Sequence, residues 1–218
     1  MIKRVVGLHF SPRGGTAMIT ERIAKDIAAH LNNNSASAVK FECFDLVDCA
    51  INHEQLDFND ETIVVVGMPA YVGKIPLPAI KILKCLQGGG AMTITVVSYG
   101  NNNYGNSLYE LYNYVDNQGF VVVGAGAFVT RHGRKDILVR PDNEDAEAIS
   151  DFCKSTANKL IRLAGSSVDG LKIKPVPLTI HGKMPIHRIS RIAPKAAATA
   201  QMALEKANLR RKEPEWFL

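Results

Sequence analysis

The sequence predicts an α/β protein, a doubly wound three-layer α/β/α sandwich with a five-stranded parallel sheet, followed by a C-terminal extension. Three observations point there. Strand-like and helix-like segments alternate through residues 1–168, the pattern that builds a parallel sheet covered on both faces. Ile63-Val64-Val65-Val66 and Phe120-Val121-Val122-Val123 are continuous apolar, mostly β-branched runs, as strands buried on both faces require. The first strand also runs into Ser11-Pro12-Arg13-Gly14-Gly15-Thr16 before a helix begins, which is where such sheets bind ligands.

The elements follow in order. Lys3 to His9 is the first strand. The first helix spans Thr16 to Leu31, with Ile19, Ile23, Ile27 and Leu31 at four-residue spacing on one face. Strands are expected at Val39 to Phe44 and Thr62 to Met68, then a helix over Leu77 to Leu86 and a strand over Met92 to Ser98. Ser107 to Asn117 reads as a helix and Gly119 to Ala127 as the fifth strand. The last helix of the body, Asn143 to Ala164, starts from Asp142 with acidic residues in its first turn. Residues 169–218 form the extension, interrupted by Pro175, Pro177, Pro185 and Pro194, with a helix expected over Ala196 to Lys212.

At 218 residues and 46% hydrophobic composition the chain buries a substantial core. No run of about 18 apolar residues is present, so no transmembrane helix is expected. The apolar run after Lys3 and Arg4 is too short for a secretory segment, and a cytoplasmic protein is expected. Cys43, Cys49, Cys85 and Cys153 have no Cys-x-x-Cys spacing and read as reduced, small apolar residues rather than a zinc or iron-sulfur ligand set. The net charge of +5 is uneven: residues 171–218 hold ten Lys or Arg against three Glu, whereas the remaining 170 residues hold 16 basic and 18 acidic groups. The basic tail has aromatics only at Trp216 and Phe217 and no nucleic-acid module, so nucleic acid is not expected as a partner.

The loop after the first strand joins glycines to hydroxyls at the start of a helix, whose free N–H groups and dipole favour an anion. It is not the triphosphate loop Gly-x-x-x-x-Gly-Lys-Ser/Thr, since the next lysine is Lys25, nor a Gly-x-Gly-x-x-Gly dinucleotide loop. Hydroxyls and amides without a lysine suit a phosphate monoester. After the third strand comes Met68-Pro69-Ala70-Tyr71-Val72-Gly73-Lys74-Ile75-Pro76, and after the fourth Ser98-Tyr99-Gly100-Asn101-Asn102-Asn103-Tyr104-Gly105. Each combines aromatic rings with glycine, and the Asn run offers donors and acceptors with little apolar area. A planar heteroaromatic ligand with polar edges would use such groups. Each loop taken alone is also an ordinary turn composition. It is their convergence on one crevice that points to a ligand.

These segments, together with Gly119-Phe120-Val121-Val122-Val123-Gly124-Ala125-Gly126-Ala127-Phe128-Val129 and Arg140-Pro141-Asp142, resemble the flavodoxin family. Within it they look like the flavodoxin domain of bacterial flavodoxin/ferredoxin fusion proteins. The resemblance covers roughly residues 1–165 and implies a flavodoxin-like sheet of order 2-1-3-4-5 with noncovalent FMN. By this resemblance Ser11, Arg13, Gly14, Gly15 and Thr16 hold the phosphate. Pro69, Ala70, Tyr71, Val72 and Gly73, with Ser98, Tyr99, Gly100, Asn102 and Tyr104, border the isoalloxazine. Arg13 stands where many flavodoxins have threonine, and Asn102 where the fusion group often has arginine. Where the fusion proteins continue into a cysteine-rich ferredoxin domain, this chain has the basic extension, so a ferredoxin-like partner is expected as a separate protein.

The function implied is FMN-dependent electron transfer, or an FMN-dependent NAD(P)H oxidoreductase, with a redox partner protein or NAD(P)H as the other reactant. No side chain need act as acid or base. Stacked aromatics and the slight negative charge of the body would disfavour an anionic reduced flavin, and a carbonyl near Gly73 or Gly100 would accept a hydrogen bond from its N5–H. Among the histidines, His9, His132 and His181 are candidate proton donors, His132 being best placed in the sequence. The alternative is a flavin-free flavodoxin-like interaction module that docks through its basic tail. A response regulator is disfavoured because the third strand ends in Gly67-Met68-Pro69, without a phosphoacceptor aspartate. The tail would also steer acidic redox partners, and a proline-containing arm after a compact body suits a homodimer.

Overall fold

The computed structural model describes residues 2–34, 38–46, 56–100, 102–130, 140–165, 167–168, 171–172, 178, 180 and 182–184. The chain order is β1 (Arg4–His9), α1 (Gly15–Asn33), β2 (Lys40–Asp45), β3 (Thr62–Pro69), α2 (Leu77–Leu83), β4 (Met92–Tyr99), α3 (Ser107–Asn117), β5 (Val121–Val129), α4 (Asn143–Gly165), β6 (Ser167–Val168) and β7 (Leu171–Lys172). The first five strands form one parallel sheet of order β2-β1-β3-β4-β5. This is the flavodoxin-like α/β/α arrangement, and strand order reverses between β1 and β3.

Strand alternation sorts the core into two layers. Val5, Ile63, Val65, Ile94 and Val96 point to one face, where Ile19, Ile23 and Ile27 of α1 and Ile149, Cys153 and Leu160 of α4 cover them. Val6, Leu8, Val64, Val66 and Val97 point to the other, under Ile80 and Leu83 of α2 and Leu111 and Val115 of α3. All eight residues of β3 are buried, as its apolar run requires. Helix α1 lies very close to the central strands. A Cβ added to Gly67 would stand 1.7 Å from Thr20 Oγ1, so glycine at this position sets the helix-to-sheet distance.

Capping decides the helix ends. At α4, Asp142 Oδ1 accepts the Asp145 N–H (3.0 Å) while Asp145 Oδ2 accepts the Asp142 N–H (2.9 Å), a reciprocal capping box that Arg140 joins by pairing with Asp145. Helix α2 stops at Leu83 rather than Leu86. There Cys85 N–H turns to the Ile82 carbonyl and Leu86 N–H to Leu83, closing the helix with tighter turns before Gly88, Gly89 and Gly90. Strand β5 begins at Val121 instead of Gly119, which occupies a turn at φ +79°, and it continues through Phe128 and Val129 alongside Ser98 and Tyr99.

A hairpin across the start of the extension pairs Ser167 with Lys172 and Val168 with Leu171. Further along, Leu178 packs against the layer under α2 and α3, Gly182 lies against the Tyr109 ring, and Lys183 N–H reaches Asn106 Oδ1 at 3.3 Å. The helix expected over Ala196 to Lys212 lies outside the described residues, as do His132, His181 and Cys49. Cys43, Cys85 and Cys153 are free thiols. Burial pushes Cys43 up to about 11 and Cys153 to about 12, so both stay protonated at neutral pH. No helix among the described residues is long and apolar enough to cross a membrane.

Candidate functional site

At the carboxyl end of β1 the chain turns sharply so that α1 can start beside the switch point. Gly14 N–H bonds to the Ser11 carbonyl (3.1 Å), and Gly14 takes the N-cap position at φ +81°, a left-handed conformation suited to glycine. Ser11 Oγ accepts the Ala17 N–H (2.8 Å), so this hydroxyl caps the helix as well as facing the loop. The N–H groups of Gly15 and Thr16, in the first turn, have no partner within the helix. Around Gly14 the structure is open: a Cβ placed there meets nothing within 4 Å. Arg13 is exposed on the same turn.

Ser98, at the end of β4, ties three loops together. Its hydroxyl meets Thr16 Oγ1 at 2.7 Å in a buried contact, and its carbonyl accepts the Ala70 N–H at 2.8 Å. Thr16 is therefore locked against β4, with its hydroxyl committed to Ser98. Residues 71–74 form a tight turn in which Tyr71 and Lys74 exchange both backbone hydrogen bonds (2.9 and 3.2 Å). Val72 at φ +54° and Gly73 at φ +73° fill its central positions, the signature of a type I′ turn. Tyr71 is half-buried. Burial pushes its phenol up, while the nearby Arg13 charge pulls the other way, so the loops after β1 and β3 face each other electrostatically.

The loops after β3 and β4 meet through glycine. The Gly73 carbonyl accepts the Asn106 N–H (3.0 Å), and a Cβ on Gly105 would stand 2.7 Å from Gly73 Cα. The sequence reading expects a flavin-facing carbonyl near Gly73 or Gly100, and that of Gly73 itself accepts this bond. Asn103 Oδ1 accepts the Gly105 N–H (2.6 Å), so one member of the Asn run builds its own turn, and Asn102 is exposed. Tyr99 and Tyr104 rings lie 5.4 Å apart at 58°. Thr130, following β5, closes the far side: its N–H reaches the Tyr99 carbonyl (2.8 Å), and its side chain stands against Gly15.

Three supporting residues escaped the sequence reading. Glu110 is fully buried, and its Oε2 accepts the Ile75 N–H at 2.8 Å, pinning the end of the 69–76 loop. Its signal was a carboxylate sharing one helix face with Ser107, Leu111 and Val115. Asn106 joins the loop after β3 to the extension, and Thr130 buttresses the loop after β1 at Gly15; neither type of contact leaves a local pattern. His9, the one candidate proton donor within the described residues, has a buried Nδ1 without a hydrogen-bond partner there. Burial lowers its pKa against the opposing pull of Asp45 and Glu21. It sits in β1 between Asp45 of β2 and Gly67 of β3. No group of acidic, His or Cys side chains among the described residues is arranged to hold a metal ion.

No family model matches the chain, and no curated protein matches it. Solved structures do. The chain is similar to an oxidoreductase from Corynebacterium diphtheriae, with 16% identity over 74% of this chain and 98% of the other, at a TM-score of 0.52. It is also similar to rubredoxin oxygen:oxidoreductase from the anaerobe Desulfovibrio gigas, with 18% identity, 75% of this chain, only 37% of that one, and a TM-score of 0.51. A flavodoxin from the domain Archaea gives 16% identity over 73% of this chain and 99% of its own, at a TM-score of 0.48. At these identities the likeness is one of fold.

Proposed function

We propose that this chain is an FMN-binding, flavodoxin-like redox protein, an electron carrier or flavin-dependent oxidoreductase that works with a separate redox partner. The observation that carries this reading is the junction at Ser98, which holds a glycine-opened helix N-terminus against two tyrosine-bearing loops at the topological switch point. FMN has the two halves this junction would serve, a phosphate monoester and a planar heteroaromatic ring.

The open space at Gly14 suits a phosphate, with the first-turn N–H groups of Gly15 and Thr16 as donors and Arg13 as an exposed cation at the rim. Tyr71, Tyr99 and Tyr104 offer faces for the ring, and the backbones of Pro69 to Gly73 and Ser98 to Asn102 offer its edge contacts. FMN supplies the exchange of electrons or hydride when bound. The residues supply position and field. Arg13 stands exposed in a loop without a carboxylate, so it favours negative charge gained on reduction, the reverse of what the slightly acidic body suggests.

Titrating the purified protein with FMN while recording visible absorption tests this. Shifted flavin bands with stoichiometric uptake are expected, and a folded protein that takes up no FMN overturns the assignment in favour of a flavin-free interaction module. Direct reduction of the bound flavin by NADH or NADPH marks an oxidoreductase. Reduction in two resolved one-electron stages marks a carrier.

A further inference from the structure

Two consecutive peptide units of the turn after β3 are held by the N-terminal turn of α3. In the Gly73–Lys74 unit the carbonyl accepts Asn106 N–H (3.0 Å) and the N–H donates to the Tyr71 carbonyl (3.2 Å). In the Lys74–Ile75 unit the carbonyl accepts Tyr71 N–H (2.9 Å) and the N–H donates to Glu110 Oε2 (2.8 Å). Both units thus have each end bonded, and Glu110 supplies the one side-chain group in the set, from 35 residues further along the chain.

Glu110 is wholly buried on the helix face it shares with Leu111 and Val115, and Ile75 is buried in the same layer. A carboxyl group taken out of water carries a desolvation cost that leucine or methionine at the same place would not. Its bond to Ile75 fixes a direction that an apolar residue cannot. Leucine or methionine would fill the space but leave the buried Ile75 N–H without this acceptor. The same turn of α3 also holds the loop after β4, since Ser107 N–H and Ser107 Oγ both donate to the Tyr104 carbonyl. The turn at Gly14, by contrast, is built by Ser11 and α1.

We propose that Glu110 is a positioning residue for the ring half of the candidate site: through the Ile75 N–H it sets the turn of residues 71–74 before any ligand arrives, and it leaves the phosphate half untouched. A loop ordered in advance binds without the cost of ordering it on contact. The proposal rests on the flavin reading for what the turn borders, whereas the hold on the turn belongs to the flavin-free protein.

Amide exchange in the flavin-free full chain reads the hold directly. Glu110→Met fills the space without an acceptor, and it is expected to quicken exchange at Ile75 and Tyr71 about tenfold or more while Val64, Val65 and Val66 of β3 keep their rates. Glu110→Gln keeps an acceptor and is expected to stay within about threefold of the unaltered chain. Titration with riboflavin and with FMN then separates ring from phosphate. Glu110→Met is expected to weaken both about fivefold or more and by the same factor, and Glu110→Gln to restore both. Unchanged exchange at Ile75 in Glu110→Met, equal quickening in β3, or no rescue by Glu110→Gln overturns the hold on the turn. A loss confined to FMN overturns the assignment to the ring half. If neither flavin binds the unaltered chain while Ile75 responds as expected, the flavin reading fails and the positioning of the turn stands.

Discussion

Val72 is the residue whose conformation and surroundings disagree most. Left-handed backbone costs a non-glycine residue roughly 1–2 kcal/mol, and exposure leaves Val72 no packing to lose. Val72→Asn, which tolerates this region, is therefore expected to raise unfolding stability by about 0.5–1 kcal/mol in urea titration. A fall would show that Val72 makes a contact that stabilises the free protein. His9 presents the opposite problem, a group well packed in one protonation state only. Its folded pKa is lowered, so below the ordinary value of 6.5 the unfolded chain takes up a proton first and stability falls with pH until the folded imidazole also titrates. Above 6.5 both states are neutral there and the effect vanishes. His9→Gln is expected to flatten the decline of stability with falling pH below 6.5. An unchanged slope would assign that decline to carboxylates such as Asp145, whose pKa Arg140 lowers.

At the scale of elements, α1 is the piece that brings the site into register, and its closeness to β3 is set by Gly67 and Thr20. Gly67→Ala places a methyl within 1.7 Å of Thr20 Oγ1 and 2.9 Å of its Cβ, so the helix must lift or the hydroxyl must leave the Thr16 carbonyl it donates to. A loss of about 2–3 kcal/mol is expected, and Thr20→Ala in the same protein is expected to restore part of it. No rescue would mean that the backbone of the sheet, rather than the helix, absorbs the methyl. These contacts also explain what could be read from sequence. The runs of β3 and β5 and the four-residue spacing of Ile19, Ile23 and Ile27 are local patterns, so the strands, the three layers and the crevice loops were legible. The ends of α2 and β5 were not, because they depend on turn bonds at Cys85 and Leu86 and on where β4 stops. Within the candidate site, Gly14 was legible as a glycine of the turn before α1 and Tyr71, Tyr99 and Tyr104 as residues of the loops beside it. The partners of Ser98, Glu110 and Asn106 lie 28 to 82 residues away in sequence and leave no local trace.

At the scale of the whole molecule, Asn106 links the described part of the extension to the candidate site. Asn106 gives its N–H to the Gly73 carbonyl and accepts Lys183 N–H on its side chain, so the arm that includes Leu178 and Gly182 bears on the same residue that fixes the turn after β3. Leu178 anchors the arm on the core layer, and Gly182 fits because a Cβ there would meet Tyr109 at 2.6 Å. Gly182→Val should push the arm off Tyr109 and free Asn106. Amide exchange at Asn106, bonded to Gly73, and at Ile75, bonded to Glu110, is then expected to quicken about tenfold, with global stability lowered by less than about 1 kcal/mol, because few core contacts are lost. Lys183→Ala keeps the N–H and should leave both amides unchanged. If Gly182→Val leaves their exchange unaltered, the arm only covers α3. If exchange quickens throughout the sheet instead, the arm stabilises the whole domain without a particular hold on the loops. Local quickening alone would show that the extension tunes the geometry of the crevice from the far side of α3, and it would do so in protein without flavin.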